Sequence, residues 1–405
     1  MDIKITPNYL HGDINVPPSK SLSHRALICA ALANGTSRIK NSLDCVDTEA
    51  TIEVLTKLGA EIVRDGNDII VHGISKTRTT FSADCRESGS TLRFLLPVAA
   101  ALGASATLHG RGKLPERPIT PYFTELTKNG IIFHSKKMPY EISGQLKAGT
   151  YSLAGDISSQ FVSGLLFALP LLDGDSEIVI TTPLQSKPYV DITIDCMRSF
   201  GVEVEEKENG YRVKGNQKYI PTEYTVEADM SQAAFFLVAN AIGADLNVLG
   251  LNPNSMQGDS AILQITEQCG GKAFDVDASQ IPDLVPILTV LAAFCDGVSH
   301  ITNCGRLRIK ECDRLAAIST ELNKLGARVE EGADSLTVTG VKSLHGGVCD
   351  SHNDHRIPMA LAVASQRCTE PLTILDAKCV SKSYPEFWND FSSIGGKFNV
   401  VNLSE

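Results

Sequence analysis

The stretch Val54-Leu55-Thr56-Lys57-Leu58-Gly59-Ala60-Glu61-Ile62-Val63 is a helical pattern that runs out at a glycine and passes into a short alternating stretch. The same junction recurs at Gly130, Gly201, Gly270, Gly326 and Gly395, with spacings of 71, 71, 69, 56 and 69 residues. Each glycine suits a C-terminal helix cap, and the segment after it reads as a strand. The chain is therefore expected to be a series of six repeated supersecondary units. Any chemistry must come from what differs between them.

Each unit opens with a polar cluster, continues into an Ala/Leu-rich helix, passes through a β-rich stretch and enters the second helix that the glycine ends. The openings are Pro-Ser-Lys-Ser-Leu-Ser-His-Arg from Pro18, Glu-Ser-Gly-Ser-Thr-Leu-Arg from Glu87, Ile-Ser-Ser-Gln from Ile157, Asp-Met-Ser-Gln from Asp229, Ile-Pro-Asp from Ile281 and Asn-Asp-His-Arg from Asn353. In at least four of them Ser or Asp precedes an apolar run of helical period, which predicts a helix N-terminus. Such an end carries unpaired N–H groups and a partial positive charge, so it is a natural anion seat. Singly, each opening is a capped helix start; six in register point to anions.

At 405 residues two domains are expected. Hydrophobic content of 43% with 21% charged residues is ordinary globular composition, enough to fill two cores. The 11 cysteines are scattered singly, without a Cys-x-x-Cys pair or a nearby His to complete a zinc pattern, and read as small apolar residues of a reduced, cytoplasmic protein. The start, Met-Asp-Ile-Lys-Ile-Thr-Pro, lacks the segments of a signal peptide, and no stretch reaches the length of a membrane span. A net charge of -10 argues against a nucleic-acid or membrane-surface partner. Yet Lys20, Arg25, Arg93, Arg117, Lys310, Arg314, Arg356 and Lys382 gather in the openings and nearby loops. Converging openings would make one strongly cationic pocket, which focuses small anions.

Three units fall on each side of a break near residue 226, and the amino-terminal strand, residues 2–15, belongs to no complete unit on its own side. It is expected to pair with the second half, which would make that domain discontinuous and the double crossing a hinge.

Within the openings, Lys20 supplies a point charge, Ser21 a hydroxyl and Arg25 a planar fork, a set suited to a phosphate plus a carboxylate. Arg117 lies in a basic Gly/Pro loop. In Arg306-Leu307-Arg308-Ile309-Lys310-Glu311-Cys312-Asp313-Arg314, alternation through Arg308-Ile309-Lys310 predicts a strand end and a helix begins from Asp313, setting Glu311 between Lys310 and Arg314. A solvated face of weak surface ion pairs is the plain alternative. Asp283 is a lone acid in an apolar stretch, either a cap or, if buried, a group of perturbed pKa.

The segments Pro-Ser-Lys-Ser-Leu-Ser-His-Arg, Ser-Gly-Ser-Thr-Leu-Arg, Glu-Arg-Pro, Ser-Ser-Gln-Phe, Ser-Lys-Pro-Tyr, Ile-Pro-Asp, Arg-Ile-Lys-Glu-Cys-Asp-Arg, Asp-His-Arg and Lys-Ser-Tyr-Pro, in this order, resemble those of the 5-enolpyruvylshikimate-3-phosphate (EPSP) synthase family of enolpyruvyl transferases, over nearly the whole chain. The resemblance implies an α/β fold of two inside-out α/β barrels, each of three βαβαββ repeats: residues 18–226 as one domain, 1–17 with 227–405 as the other, and the active site in the interdomain cleft. It implies transfer of the enolpyruvyl group of phosphoenolpyruvate to the 5-hydroxyl of shikimate 3-phosphate, with release of phosphate, by a monomer needing no metal or organic cofactor. By similarity, Lys20, Ser21, Arg25, Ser158, Ser159, Gln160, Ser186, Tyr189, Asp283 and Lys310 hold shikimate 3-phosphate. Lys20, Gly89, Arg117, Gln160, Arg314, Arg356 and Lys382 hold phosphoenolpyruvate, the site at which glyphosate competes in this family. Asp283 would accept the hydroxyl proton, and Glu311 or Lys20 would protonate the methylene carbon. Two positions depart from the family pattern: Glu87 stands where many members have Asn, and Arg306 where some have an Asn that contacts shikimate 3-phosphate.

Two rival families share features with this chain. UDP-N-acetylglucosamine enolpyruvyl transferases typically carry Lys-Asn at the first opening and often a cysteine in the mobile loop, whereas this chain has Lys20-Ser21 and no cysteine between Cys85 and Cys196. A DNA sliding clamp is also acidic and six-fold repeated, but it would repeat Lys/Arg along helix faces in every unit and has no use for Asp283 and Glu311.

Overall fold

The computed structural model describes residues 1–401 and falls into two compact units, Pro18–Glu227 on one side and Met1–Pro17 with the chain from Ala228 on the other. Glu227 goes with the first unit because its carbonyl accepts from Ser19 N at 2.8 Å, while Asp229 N donates to Pro17 O at 2.9 Å within the second.

In the first unit a single pattern is built three times. Strand Thr80–Asp84 runs parallel to Ser105–His109, which is antiparallel to Tyr140–Gly144, itself antiparallel to Ile131–Phe133. A parallel pair needs a crossover, and helix Gly89–Ala101 supplies it. Helix Thr120–Lys128 then leads to the closing hairpin. Thr150–Leu153, Ser176–Ile180, Gly210–Val213 and Val204–Lys207 repeat the order. The remaining sheet borrows its first strand, Glu223–Thr225, from the end of the unit and sets it beside Thr36–Lys40.

The crossover helices are the core. Residues 22–31 of helix Lys20–Leu32, and nearly all of Gly89–Ala101 and Ser159–Ala168, are buried on every face, whereas strands such as Thr80–Asp84 alternate between exposed and buried. Helices that are apolar all round belong inside, and half-polar sheets outside. Helix Ser159–Ala168 approaches Gly89–Ala101 closely because Gly164 has no side chain: a Cβ there would overlap Arg93 O and the Tyr122 hydroxyl. That hydroxyl donates to Arg93 O at 2.7 Å.

In the second unit the amino-terminal segment forms two strands rather than one, since Pro7 cannot donate to a ladder. Asp2–Thr6 lies between Leu372–Leu375 and Lys397–Val401, and His11–Asn15 is parallel to Asp245–Leu249. That last sheet has only two strands among the described residues. The chain leaves helix Ala261–Cys269 and reaches strand Asp275–Asp277 of the next repeat without a hairpin, which accounts for the short 56-residue spacing from Gly270 to Gly326. Where the hairpin would pair, the Asn240 carboxamide takes its place, accepting from Leu246 N and donating to Leu246 O, both at 2.8 Å. An otherwise open edge is thereby blunted.

All six junction glycines adopt positive φ, from +48° at Gly270 to +123° at Gly59. The strand end expected at Arg308-Ile309-Lys310 is instead a 3₁₀ helix, Gly305–Ile309. The Arg308 guanidinium donates to Ala333 O and Gly332 O and pairs with Asp313 and Glu331, which docks the segment on a hairpin turn rather than in a ladder. Among the described residues no helix is long and apolar enough to cross a membrane.

Gly164→Ala is expected to lower stability by about 1–3 kcal/mol through overpacking against Arg93 O, read from the urea midpoint at unchanged m-value. A neutral effect would contradict the close approach of these helices.

Candidate functional site

Each of the two units carries its own cluster of polar side chains. In the first, Ser19, Ser88 and Ser158 are the N-caps, their hydroxyls accepting from Leu22 N, Thr91 N and Gln160 N. Lys20, Gly89 and Ser159 therefore begin their helices, where backbone N–H groups have no partner within the helix. Lys20 Nζ pairs with Asp47 Oδ2 at 2.9 Å. Arg25 is buried without a carboxylate: Nε donates to Thr193 Oγ1 at 2.8 Å, one terminal nitrogen to Ser21 O at 2.7 Å and the other to Tyr189 O at 2.8 Å, with the guanidinium over the Phe94 ring. Burial draws its pKa down to about 10, against weaker opposition from Cys196 and Tyr189. Ser186, at φ +53°, begins the helix that carries Tyr189 and Thr193. A non-glycine residue in that region costs on the order of 1–3 kcal/mol and persists only where its surroundings fix it. Ser21, Arg25, Ser186 and Tyr189 are thus one neighbourhood.

Gln160 is in another, accepting from Arg93 Nη1 at 2.8 Å and donating to Ser90 Oγ at 2.9 Å. Arg93 also donates to Pro118 O, which ties the basic loop to this helix pair. The space beside Gly89 is filled by the buried Arg117, whose guanidinium atoms lie 2.8 to 2.9 Å from where a Cβ would be. Glu87 lies against Gly112, so its carboxylate packs on the backbone of the same loop.

The second cluster is organised around Arg314, only 2% exposed. Its Nη1 donates to Asp283 Oδ1 at 2.9 Å, Nη2 to Glu311 Oε2 at 2.7 Å and Nε to Asp354 Oδ2 at 2.6 Å. Arg356 Nη2 donates to the other Asp283 oxygen at 3.0 Å, and Lys310 Nζ stands 3.8 Å from Asp283. Lys382 Nζ donates to Asn353 O at 2.7 Å and Oδ1 at 2.9 Å. This cluster is not a bare cationic patch within its own unit, because Asp283, Glu311 and Asp354 answer the cations. Nor is it a solvated face of surface pairs, since Arg314 and Asp354 are buried.

Burial pushes the Asp283 carboxyl up, but Arg356, Lys310 and Arg314 together hold it well below the usual carboxylate range. Burial brings Lys310 down to about 8, with Asp283 opposing and Arg314 adding to the fall. Asp259, buried and accepting from Ser231, is raised to about 6 by burial and by Asp283. Asp47, Asp354 and Thr193 were not singled out in the sequence, although Asp354 sits in the Asp-His-Arg segment. Arg306 donates to Ser279 O at 2.9 Å and so braces the loop that leads to Asp283. Among the described residues no group of three or more His, Cys, Asp or Glu is arranged to hold a metal.

The sequence model of the family described as EPSP synthase (3-phosphoshikimate 1-carboxyvinyltransferase) matches residues 5–391. The chain is 45% identical to the 3-phosphoshikimate 1-carboxyvinyltransferase of Clostridium botulinum (strain Alaska E43 / Type E3), covering 99% of each chain. It is 47% identical to that of Clostridium acetobutylicum, covering 100% of this chain and 99% of the other. Among solved structures, EPSP synthase from Acinetobacter baumannii superposes with a TM-score of 0.83 at 25% identity, over 99% of this chain and 100% of that one. The enolpyruvyl transferase NikO from Streptomyces tendae shares the fold, with a TM-score of 0.78 at 17% identity over 98% of each chain.

The Lys310 environment sets a test by lysine NMR. In the ligand-free protein its ε-ammonium should titrate near pH 8, against about 10.4 for an ordinary lysine. Asp283→Asn should lower that value further, since Asp283 favours the charged form. With the folded value depressed, this group's contribution to stability grows as pH rises from about 8 towards the unfolded value. An ordinary Lys310 titration would show that this side chain, 25% exposed, is not desolvated enough to lower its pKa.

Proposed function

The chain belongs to the EPSP synthase family, and we propose that both clusters described above serve its one pair of substrates. Its reaction transfers the enolpyruvyl group of phosphoenolpyruvate to shikimate 3-phosphate, a step of the shikimate pathway of aromatic amino acid biosynthesis. In this reading Lys20, Ser21, Arg25, Ser158, Ser159, Gln160, Ser186, Tyr189, Asp283 and Lys310 hold shikimate 3-phosphate. Lys20, Gly89, Arg117, Gln160, Arg314, Arg356 and Lys382 hold phosphoenolpyruvate. In this reading the protein is a cytoplasmic monomer, and its acidic balance of 47 Asp and Glu against 37 Lys and Arg supports the absence of a nucleic-acid partner.

The observation that carries the mechanism is the Asp283 carboxylate shared between Arg314 and Arg356 with Lys310 beside it. Phosphoenolpyruvate brings a carboxylate and a phosphate that compete with Asp283 for those cations. As they turn to the substrate, the attraction holding Asp283 unprotonated weakens and the opposing effect of burial gains. Asp283 becomes a base once its cations are engaged. It takes the proton of the attacking hydroxyl while the new C–O bond forms, and Glu311 or Lys20 delivers a proton to the methylene carbon, giving a tetrahedral intermediate. Elimination reverses the roles: the group that protonated the methylene carbon takes a methyl proton back, the C–O bond to phosphate breaks, and the proton held by Asp283 passes to the departing phosphate. The cations remain throughout to stabilise the charge.

Phosphate should appear from phosphoenolpyruvate only when shikimate 3-phosphate is supplied; equal turnover with UDP-N-acetylglucosamine would reverse the assignment. Asp283→Asn and Glu311→Gln should each lower kcat by at least about 10²-fold, with shikimate 3-phosphate binding held within a few-fold. Near-normal turnover in both would remove them from the proton transfers.

A methyl at Gly89 must displace Arg117. Gly89→Ala is therefore expected to raise both the KM for phosphoenolpyruvate and the inhibition constant of glyphosate by about 10-fold or more. Unchanged values would separate Arg117 from this subsite.

A further inference from the structure

Between strand Gly347–Asp350 and helix Arg356–Ala364 the chain makes a turn with two successive non-glycine residues at positive φ, His352 at +52° and Asn353 at +53°. Such a turn holds only where its surroundings over-determine it. Local bonds supply part of the restraint: His352 N donates to Asp350 Oδ1 at 2.6 Å, Asn353 N to Ser351 Oγ at 3.2 Å and Asp354 N to Ser351 O at 3.0 Å. The rest comes from Glu321, two turns beyond Arg314 on helix Arg314–Lys324. Its side chain is 0% exposed, an unusual place for a carboxylate. One oxygen accepts from His352 Nε2 at 2.7 Å, the other from Asp350 N at 3.1 Å, and Lys324 Nζ reaches both, at 2.9 and 2.8 Å. Burial pushes this carboxyl up, but Lys324, His352 and the Asp350 N–H outweigh it and hold it below the usual glutamate value. It is a charged acceptor at neutral pH.

What the turn presents gives this anchorage its meaning. Asn353 offers Lys382 its carbonyl and its side-chain oxygen, while Asp354 takes Arg314 Nε on one oxygen and the Arg356 backbone N–H on the other. A single strained turn thus sets Arg314, Arg356 and Lys382, the cations assigned above to phosphoenolpyruvate. We infer that Glu321 and His352 are a positioning pair for the phosphoenolpyruvate subsite: they hold the 352–354 turn against the helix of Arg314 and act on the substrate only through Arg314, Arg356 and Lys382. This rests on the assignment of those cations to phosphoenolpyruvate.

The test compares steady-state kinetics of the full-length wild type, Lys382→Ala, His352→Ala and His352→Gln. His352 is 35% exposed at the side chain, so its removal leaves the core intact. Glutamine can still donate to Glu321. His352→Ala should raise the KM for phosphoenolpyruvate by about 10-fold, with kcat and the KM for shikimate 3-phosphate within about 3-fold of wild type, and His352→Gln should restore most of the loss. If Lys382→Ala raises that KM and His352→Ala does not, the positioning role is overturned while the subsite assignment stands. If Lys382→Ala itself leaves the KM unchanged, the assignment beneath it fails. A His352→Ala enzyme with both KM values raised in parallel, or one that glutamine does not rescue, has lost general structure, and that too overturns the inference. Glu321→Gln, which keeps the shape but removes the charge, should reproduce the selective rise in KM; equal effects on both substrates would count against the pair.

Discussion

A guanidinium taken out of water must find acceptors for its N–H groups, and the second unit is organised around that demand at Arg314. The three carboxylates that meet it come from the 3₁₀ turn at Asp283, from Glu311 just ahead of the helix and from Asp354 in the turn after strand Gly347–Asp350. Leaving any one of them out would deprive a buried guanidinium N–H of its acceptor, a larger penalty than a surface pair could repay. The network therefore fixes the relative placement of three segments from two repeats. A buried ion network of this kind is weak evidence for stability. Its value lies in specifying one arrangement, and here that arrangement is the one in which Arg356 and Lys310 also reach Asp283.

The repeat architecture delivers the residues to be organised. A strand with a parallel neighbour requires a crossover helix, and with the helices inside and the sheets outside each helix start emerges from the core end of a strand. The loop before every such helix is therefore free to vary without disturbing a ladder. Lys20, Gly89 and Ser159 occupy corresponding places at three helix starts, yet one is a cation, one permits Arg117 to close in, and one carries a hydroxyl. Repetition supplies equivalent seats, and substitution gives each its own chemistry.

What could be read from the chain alone tracked the range of the interaction. Caps at Ser19, Ser88, Ser158 and Asp229 are local, three residues or fewer from their partners, and were legible as Ser or Asp before an apolar run. The junction glycines were legible because positive φ is a local requirement. The 3₁₀ helix at Gly305–Ile309 was not, because three of the four acceptors of Arg308 lie more than twenty residues away, and alternation in so short a segment looks like a strand. Asp47 and Thr193 were hidden for the same reason, their partners Lys20 and Arg25 lying 27 and 168 positions away. The missing hairpin was visible only as a short interval between glycines, with nothing local to say which strands were absent.

The two clusters also show two ways of burying an arginine, with different consequences for ligand binding. Arg25 is held by carbonyls and a hydroxyl, so its positive charge stays uncancelled by any acid among its hydrogen-bond partners, and burial lowers its pKa. A ligand anion meets that charge without displacing a carboxylate. Arg314 is matched by carboxylates, and its charge becomes available only to the extent that a ligand outcompetes Asp283, Glu311 or Asp354. Of these, Asp354 is fully buried and braced by the 352–354 turn, while Asp283 is 19% exposed and shared with Arg356 and Lys310. Glu311 is nearly as exposed, at 17%, but only an exchange at Asp283 would engage Arg314, Arg356 and Lys310 together, and Asp283 is the carboxylate whose basicity that exchange would raise. In the reading proposed above, an anion bound at Arg314 would be coupled to proton transfer through Asp283, whereas an anion bound at Arg25 would displace no carboxylate.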